Sequence, residues 1–383
     1  MDFALNDEQR LLQQSVERLF ADRYQFDARK RYAQEPAGWS SELWRQYAEL
    51  GLLGLPFSEQ HGGIGGGPVE TMIVMEQIGR ALALEPYLAT VVLAGGLLQL
   101  GGNKKLQAET LPEIAAGKST LGFAHTERQA RYDLADVATT ARRDGAGFVL
   151  DGAKSLVLQG DSAKKFVVSA RLSGQRNDRT GLGLFLVDAG AAGVTVRGYG
   201  TVDSQRAAEV QLSGVRVDAG AAIGEPGNAY PLIERIADQA MAALCAEAVG
   251  AMAAMQDTTV DYMKTRKQFG VAIGSFQALQ HRAADMVIAL EQARSMAMLA
   301  TMMAASDDVR ERRQAISAAK VQIGRSGKSV GQAAIQIHGG IGMTMEAKVG
   351  HYFKRVTVID TIFGDADYHL GLLAASGGLI AAA

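Results

Sequence analysis

The segments RKQFG at residues 266–270 and QIHGGIG at residues 336–342 are the most distinctive in this sequence. Both lie in a C-terminal zone that runs from about residue 226 to residue 383. Apolar residues recur there at helical spacing and predict long helices over residues 231–267, 276–305 and 309–337, with a final helix from about residue 366. Helices of this length pack as an antiparallel bundle, so we predict a C-terminal helical bundle domain.

Outward from that zone, the pattern changes twice. Residues 1–118 are typical of helices, with Asn6 expected to cap the first helix and further helices over residues 41–50, 69–84 and beyond Pro86. Residues 119–225 instead contain short segments rich in Val and Leu, separated by turn residues such as Asp144-Gly145 and Asp151-Gly152. This spacing predicts a small antiparallel β domain. The predicted class is α+β, with three domains at residues 1–118, 119–225 and 226–383.

The composition narrows the function classes. The 383 residues are 48% hydrophobic, ample for several domains, and 39 Lys+Arg against 41 Asp+Glu give no support for a nucleic-acid or anionic-membrane partner. The single cysteine, Cys245, fits a reducing compartment and a core position. Residues 241–255 are apolar but shorter than a membrane span, so they predict a core helix packed by small side chains. We expect a cytoplasmic protein without a signal peptide or a metal site.

The sequence resembles the acyl-CoA dehydrogenase family along essentially the whole chain. The resemblance rests on HGGIGGG at residues 61–67, on the RKQFG and QIHGG segments, and on the helix–sheet–helix order. The resemblance implies an N-terminal helical domain, a central β domain and a C-terminal four-helix bundle. It also implies FAD at a subunit interface, an acyl-CoA substrate and an electron-transfer flavoprotein as partner. In that family a glutamate removes the α-proton of the acyl-CoA while the flavin accepts the β-hydride.

The matching positions assign candidate cofactor-binding residues. By resemblance, Arg266 faces the FAD pyrophosphate of a neighbouring subunit, a role that suits a permanently charged, forked donor. Phe269 would pack near the adenine, and the glycine turn would bring backbone amides close to the flavin. His338 is expected to pack beside the cofactor rather than to catalyse. The full set of expected cofactor-binding residues is Arg266, Gln268, Phe269, Gln277, Gln336, Ile337, Gly339, Gly340 and Asp365.

The catalytic base is missing from both places where the family carries it. The family's Tyr-Glu-Gly-Thr segment reads Ile-Phe-Gly-Asp at residues 362–365, and alignment on the glycine puts Phe363 at the base position. The alternative position, on the first helix of the bundle, is Ala240. Neither side chain can accept a proton, so the sequence identifies no catalytic residue.

Two segments of the β zone also depart from the family. The Thr-Glu-Pro-Gly-x-Gly-Ser-Asp loop, which in the family lines flavin and acyl-CoA, reads TERQARYD at residues 126–133. The Trp-x-Thr pair that covers the flavin ring is replaced by Leu156 and Leu158. The segments that serve a subunit's own site are therefore altered, whereas those that reach a neighbour's site are intact.

This asymmetry favours a chain that completes the FAD site of a second, catalytic acyl-CoA dehydrogenase subunit, most like the small subunit of pimeloyl-CoA dehydrogenase. Three alternatives stay open at this point. One is a homo-oligomeric dehydrogenase with Asp365 or Asp367 as an unusual base. Another is a scaffold subunit that binds neither FAD nor acyl-CoA. The third, a flavin monooxygenase of the same fold, would need a substrate-side hydroxyl or histidine that we do not find.

Overall fold

The computed structural model describes residues 5–377. It contains eleven α-helices within that range, and the first six precede the sheet. These are α1 (Asp7–Arg23), α2 (Phe26–Tyr32), α3 (Ser41–Glu49), α4 (Pro68–Ala81), α5 (Gly96–Gly101), α6 (Lys104–Ala115), α7 (Tyr230–Thr265), α8 (Gln277–Met303), α9 (Val309–His338), α10 (Lys348–Thr361) and α11 (Ala366–Ala375). A π-helical stretch, Leu88–Gly95, leads into α5.

The first helix begins where the sequence predicts. The Asn6 side chain accepts a hydrogen bond from the Gln9 backbone N–H at 2.8 Å, and the Gln9 side chain accepts one from the Asn6 N–H at 3.0 Å. This capping box satisfies two backbone donors that a helix start otherwise leaves without partners. The prediction that Asn6 caps α1 is therefore confirmed.

The β zone forms a single sheet within the described residues, flanked by helices in the sequence. Its eight strands are β1 (Leu121–Ala124), β2 (Thr140–Asp144), β3 (Gly147–Leu158), β4 (Lys165–Arg171), β5 (Leu182–Asp188), β6 (Val194–Gly200), β7 (Arg206–Asp218) and β8 (Ala222–Gly227). The order is β6-β7-β3-β2-β4-β5-β8, with β1 also paired to β4. Most pairs are antiparallel, but β1 and β2 meet β4 in parallel. Phe148, Phe166 and Phe185 belong to its core.

One of the two predicted turns is confirmed and the other is wrong. Asp144-Gly145 turns as predicted between β2 and β3, but Asp151-Gly152 does not turn the chain. It lies inside β3, where the register with β7 shifts between Leu150 and Gly152. A β-bulge uses the same permissive residues as a turn, so the dipeptide alone could not distinguish the two. The helix α10 was not predicted from the sequence.

The chain divides into two compact units. One comprises Met1–Arg31, Pro68–Ala83 and Met241–Ala383, and the other comprises Tyr32–Gly67 and Leu84–Ala240. In the first unit, α4 and α7 approach so closely that a Cβ at Gly79 would lie 1.9 Å from the Glu247 carbonyl oxygen. A Cβ at Gly250 would lie 1.8 Å from the Glu76 carbonyl oxygen. Glycine at both positions is therefore required for this helix contact.

The apolar core helix predicted around residues 241–255 is part of α7. Cys245 is fully buried there, and burial raises the pKa of its thiol to about 12, so it is a core residue rather than a reactive one. Within residues 5–377, α7 is the one helix apolar and long enough to span a membrane, yet 94% of its most apolar window is buried. The α+β class and the helix–sheet–helix order are confirmed, whereas the three domain boundaries stay a prediction.

Candidate functional site

The RKQFG segment lies at the end of α7 and opens a short hairpin. Strands β9 (Lys267–Gln268) and β10 (Val271–Ala272) pair across Phe269-Gly270. Phe269 has a left-handed φ of 54° and is 91% exposed, and Arg266 and Gln268 are exposed as well. Val271 and Phe276 in the same hairpin region are exposed as well, and neighbouring exposed apolar side chains favour a binding surface.

The QIHGG segment ends α9 and continues into a 3₁₀ turn, Gly339–Met343. Gly339 has a left-handed φ of 64°, and a Cβ at Gly339 or at Gly340 would meet no atom within 4 Å. The backbone of this glycine turn is therefore open to an approaching molecule. Ile341 and Met343 beside it are exposed, whereas the side chains of Ile337 and His338 are buried.

The two segments are neighbours in the first unit. The Tyr262 ring stacks on the His338 ring with 4.4 Å between centroids, and the Tyr262 hydroxyl donates to the His338 carbonyl oxygen at 3.4 Å. Tyr262 lies one helical turn before Arg266, whose backbone N–H donates to the Tyr262 carbonyl. His338 Nδ1 donates to the Ala334 carbonyl, and burial lowers the pKa of this histidine. His338 is thus a packing residue beneath this surface, and its place beside a cofactor stays a prediction.

Several polar side chains in these two segments have no hydrogen-bond partner among the described residues. Among residues 5–377, the side chains of Arg266, Gln277 and Gln336 make no hydrogen bond or ion pair, and that of Gln268 donates only to the adjacent Lys267 carbonyl. Such groups are available to a ligand without the loss of an existing partner. We call the surface formed by residues 266–277 and 336–343 the exposed motif surface.

The predicted base position has no proton acceptor. Phe363 has a left-handed φ of 59° and is partly buried. At the next residue, a Cβ on Gly364 would lie 2.5 Å from a ring carbon of Tyr368 and 2.8 Å from Nε2 of His369. An alignment shifted by one residue would therefore not restore a base, because position 364 has no room for a side chain.

Two buried side chains hold this turn, which follows α10. Lys320 donates to the carbonyl oxygens of Ile359, Asp360 and Ile362 at 2.9, 3.0 and 3.0 Å, respectively. His369 Nε2 donates to the Phe363 carbonyl at 3.1 Å. Burial, followed by the nearby Lys320 charge, lowers the pKa of His369 to about 4, so it is neutral near pH 7. The carbonyls around the base position are thus fixed in place.

Acidic side chains close in sequence to the two base positions, Phe363 and Ala240, have structural partners or lie in solvent. Glu247, on α7, is buried and binds Arg355 through two contacts of 2.6 and 2.9 Å. Ala240 is fully buried. Asp365 is partly buried and caps α11 by accepting the Tyr368 N–H at 2.8 Å. Asp367 is exposed. Within residues 5–377 no group of three or more His, Cys, Asp or Glu side chains could hold a metal ion.

The altered β-domain loop has a firm anchor that the sequence did not reveal. Lys154 is completely buried and donates to Glu127 Oε1 at 2.7 Å, to Ser169 Oγ at 3.0 Å and to the His125 carbonyl at 3.2 Å. Burial lowers the pKa of Lys154 to about 8, although Glu127 opposes this shift. Burial and the Lys154 charge also lower the pKa of His125 to about 3. In the sequence, the sign of this anchor was a lysine, Lys154, within the alternating apolar pattern of β3.

Residues other than glycine with a left-handed φ are concentrated in the segments that resemble cofactor- or substrate-lining segments of the family. Seven occur between residues 5 and 377, and four of them are Arg131, Leu156, Phe269 and Phe363. Each of the four lies in a segment that resembles a cofactor- or substrate-lining segment of the family: residues 126–133, 152–158, 266–270 and 362–365. Because this conformation costs about 1 kcal/mol for a residue with a Cβ, its concentration here favours a functional constraint on the backbone.

Comparisons with known proteins agree with the architecture. The chain matches the family descriptions "Acyl-CoA dehydrogenase, N-terminal domain" over residues 6–118, "middle domain" over 122–215 and "C-terminal domain" over 232–378. It is 28% identical to the probable acyl-CoA dehydrogenase YngJ of Bacillus subtilis, with 94% of this chain and 95% of the relative covered. It is 31% identical to acyl-CoA dehydrogenase FadE12 of Mycobacterium tuberculosis, with 80% of each covered.

Solved structures give the same result. A variant of the Tcur3481-Tcur3483 steroid ACAD is 29% identical with a TM-score of 0.87, and 97% of each chain is covered. The ChsE4-ChsE5 complex of Mycobacterium tuberculosis is 26% identical with a TM-score of 0.89 over 100% of each chain. A structure described as an FAD complex of PigA is 27% identical with a TM-score of 0.90, covering 99% of this chain and 100% of that one. The chain therefore belongs to the acyl-CoA dehydrogenase family of flavoprotein oxidoreductases, which act on CH–CH groups.

Proposed function

We propose that this chain is the subunit without a base in a two-subunit, FAD-dependent acyl-CoA dehydrogenase, and that it completes the FAD site of a catalytic partner. The observation that carries the proposal is the turn at residues 362–365. It offers no proton acceptor at Phe363 and no space for one at Gly364. A dehydrogenase that removes an α-proton needs a base within contact of that proton, so we infer that another chain supplies it.

The exposed motif surface fits the role of a contributor to a neighbour's cofactor site. Arg266 offers a guanidinium without a partner, Gln277 and Gln336 offer free amides, and the Gly339-Gly340 backbone faces open space. The guanidinium suits a pyrophosphate, whereas the amides and the glycine backbone suit a flavin edge. FAD would supply the hydride acceptor of the reaction. Phe269 and Gln268, also exposed, would lie at the contact with the partner chain.

Two relatives support pairing between different chains. The structures of similar fold include one described as a complex of ChsE4 with ChsE5 and one described as a Tcur3481-Tcur3483 steroid ACAD. By resemblance to the small subunit of pimeloyl-CoA dehydrogenase, we infer a dicarboxylic or bulky, ring-derived acyl-CoA as the substrate. An electron-transfer flavoprotein would be the electron acceptor and the cytoplasm the compartment.

The direct test is the co-purified complex with a neighbouring dehydrogenase gene product, analysed for bound flavin. Arg266→Ala should lower FAD retention by about tenfold or more, because charge-assisted hydrogen bonds to phosphate are lost. Arg310→Ala is the matched control. Arg310 is exposed in the first turn of α9, about 40 Å along the helix from His338. Equal FAD retention by both variants would contradict the assigned surface.

A homo-oligomeric dehydrogenase that uses Asp365 as its base makes a separate prediction. Asp365→Asn keeps an amide oxygen that can cap α11, so the fold should tolerate it. If the purified chain alone oxidises an acyl-CoA and this variant does not, the homo-oligomer is correct. A colourless purified complex would instead favour a scaffold subunit that binds no flavin.

A further inference from the structure

The first unit contains a cavity of about 160 Å³ at a point where four helices meet. Residues of α1, α4, α7 and α8 form most of its wall. In other proteins a cavity of roughly 150 Å³ holds a molecule the size of benzene, so this one suits a small ligand. None of the described residues that line it belongs to the exposed motif surface or to residues 362–365. The cavity is therefore separate from the groups on which the proposed function depends.

Two small side chains leave room for the cavity. Ala246 on α7 and Ala297 on α8 line it, and both are buried. Helices α4 and α7 cannot close the gap by moving together, because their backbones already meet at Gly79 and Gly250. The other apolar residues of the wall include Met72, Ile73, Val249 and Met298. The apolar body of a ligand would be removed from water here, and the unbranched methionines can adapt to its shape.

The polar side of the cavity carries more negative than positive charge. Arg294 Nη1 donates to Glu76 Oε1 at 2.6 Å, and Arg294 Nε lies 3.5 Å from Glu291 Oε1. Burial lowers the pKa of Arg294, but Glu76 and Glu291 outweigh burial and raise that pKa overall. The guanidinium is thus already held by two carboxylates, and the net charge of the three groups is negative.

Two acceptors on this side have no protein donor within residues 5–377. Glu76 uses Oε1 for its ion pair, which leaves Oε2 available, and the partly buried side chain of Gln13 makes no hydrogen bond. An ammonium group would bond to both side chains without displacing Arg294. A carboxylate ligand would have to replace Glu76 on the guanidinium and would be repelled by Glu291. The charges therefore favour a cationic ligand over an anionic one.

We propose that this cavity binds a small organic amine, with its apolar body among the alanine and methionine side chains and its ammonium group beside Glu76 and Gln13. The site is partly enclosed by four helices, so the ion pair would form in a medium less polar than bulk water and would be stronger than one on an open surface. Because the ligand touches several helices of the folded chain at once, its binding also raises the melting temperature.

Three probes that share one apolar body and differ in their polar end test the ligand class. These are benzylamine, benzyl alcohol and benzoate, titrated into the full-length chain by calorimetry. Benzylamine should bind about tenfold or more tightly than benzoate, with benzyl alcohol between them. A preference for benzoate, equal affinity for all three probes, or no binding of benzylamine up to about 10 mM would overturn the proposal.

Two variants test the position of the ligand. Glu76→Gln removes the charge and keeps the shape, so it should bind benzylamine about tenfold or more weakly and benzyl alcohol within about twofold of the wild type. Ala246→Leu fills the cavity and should bind none of the probes, with a thermal melt to verify folding. Glu113→Gln, at an exposed position on α6, is the charge-matched control and should bind all three probes within about twofold of the wild type.

The charge variant decides the proposal even if the filled cavity prevents folding. Unchanged affinity of Glu76→Gln for benzylamine would overturn the position of the ammonium group. Unchanged affinity of a folded Ala246→Leu chain would overturn the cavity as the site. Neither result bears on the paired-subunit function, which is tested by the flavin content of the complex.

Discussion

Two glycine turns in the C-terminal part of the chain have opposite surroundings. A Cβ at Gly339 or Gly340 would meet nothing within 4 Å, whereas a Cβ at Gly364 would collide with Tyr368 and His369. The first turn is accessible, and the Tyr262–His338 contact joins it to the segment that contains Arg266 and Phe269. The second is packed and held by Lys320 and His369. Both turns match cofactor-site segments of the family, but only the first is open to another molecule. The second is packed against side chains of its own chain.

The largest effect should come from the packed turn. Lys320→Met removes three hydrogen bonds to carbonyls at the end of α10. The Ile359 carbonyl keeps the Ile362 N–H, whereas the carbonyls of Asp360 and Ile362 lose the Lys320 donor. The free energy of unfolding should fall by about 3–5 kcal/mol. Denaturant titration measures this loss. Lys328→Met, at an exposed position two turns further along α9, is the control and should change stability by no more than about 0.5 kcal/mol.

Acid should weaken the β-domain anchor by a similar amount. Burial opposes ionisation of Glu127, but Lys154 and its hydrogen bonds outweigh burial and lower the pKa from 4.5 to about 2. Because the folded pKa is the lower one, the stabilisation is complete above pH 4.5 and is lost as pH falls toward 2. The wild type should therefore lose about 3 kcal/mol over this range.

The pH dependence needs a variant that removes the titration. Glu127→Gln should be less stable near neutral pH but should show a flatter acid limb in unfolding titrations at several pH values. Asp188→Asn, at an exposed carboxylate on β5, should keep the full acid dependence. An unchanged acid limb in Glu127→Gln would remove Glu127 as the origin of the effect.

Substitution of alanine for one glycine of each turn tests whether the two turns differ in packing. Gly364→Ala should cost about 2–3 kcal/mol, because it adds a Cβ at a φ of 116° against the Tyr368 ring. Gly340→Ala should change the unfolding free energy by less than about 0.5 kcal/mol, because its Cβ enters open space. Thermal melts of the isolated chain suffice. Equal losses at both positions would erase the distinction between the turns.

The smallest effect on folding should come from the hairpin tip. Phe269→Gly relieves a left-handed φ and removes a side chain that is 91% exposed and that meets the Phe276 ring edge-on, so stability should stay equal or rise by up to about 1 kcal/mol. Association with the partner subunit should nevertheless weaken, as judged by co-elution on size-exclusion chromatography. A destabilised chain with an unaffected complex would place Phe269 in the fold instead.

Pattern and motif together predicted most of the architecture. The helices α7, α8 and α9 and the strands β3 to β7 lie where apolar spacing indicated, since long amphipathic segments and alternating strands have distinct periods. Helix α10 was missed because it is shorter than α7, α8 and α9, so its apolar repeat covers fewer turns. Asp151-Gly152 was misread because bulges and turns share the same residues.

The candidate site was predictable in part. Motif similarity located the residues of the exposed motif surface, and the structure brings them together through Tyr262 and His338, a contact that no local pattern encodes. The burial of Lys154 and Lys320 was not predicted, because the sequence around a lysine does not show which carbonyls or carboxylates its ammonium group reaches. Left-handed φ values at Arg131 and Phe363 are likewise properties of the folded backbone.

Flavin stoichiometry tests the central claim most directly. The chain should be co-expressed with its candidate partner, purified as a complex, and analysed for protein ratio and for FAD by absorbance after denaturation. The account predicts one FAD for each pair of unlike chains, with α,β-desaturation of the acyl-CoA only in the complex. A homo-oligomer of this chain alone that carries one FAD per subunit and oxidises an acyl-CoA would contradict it.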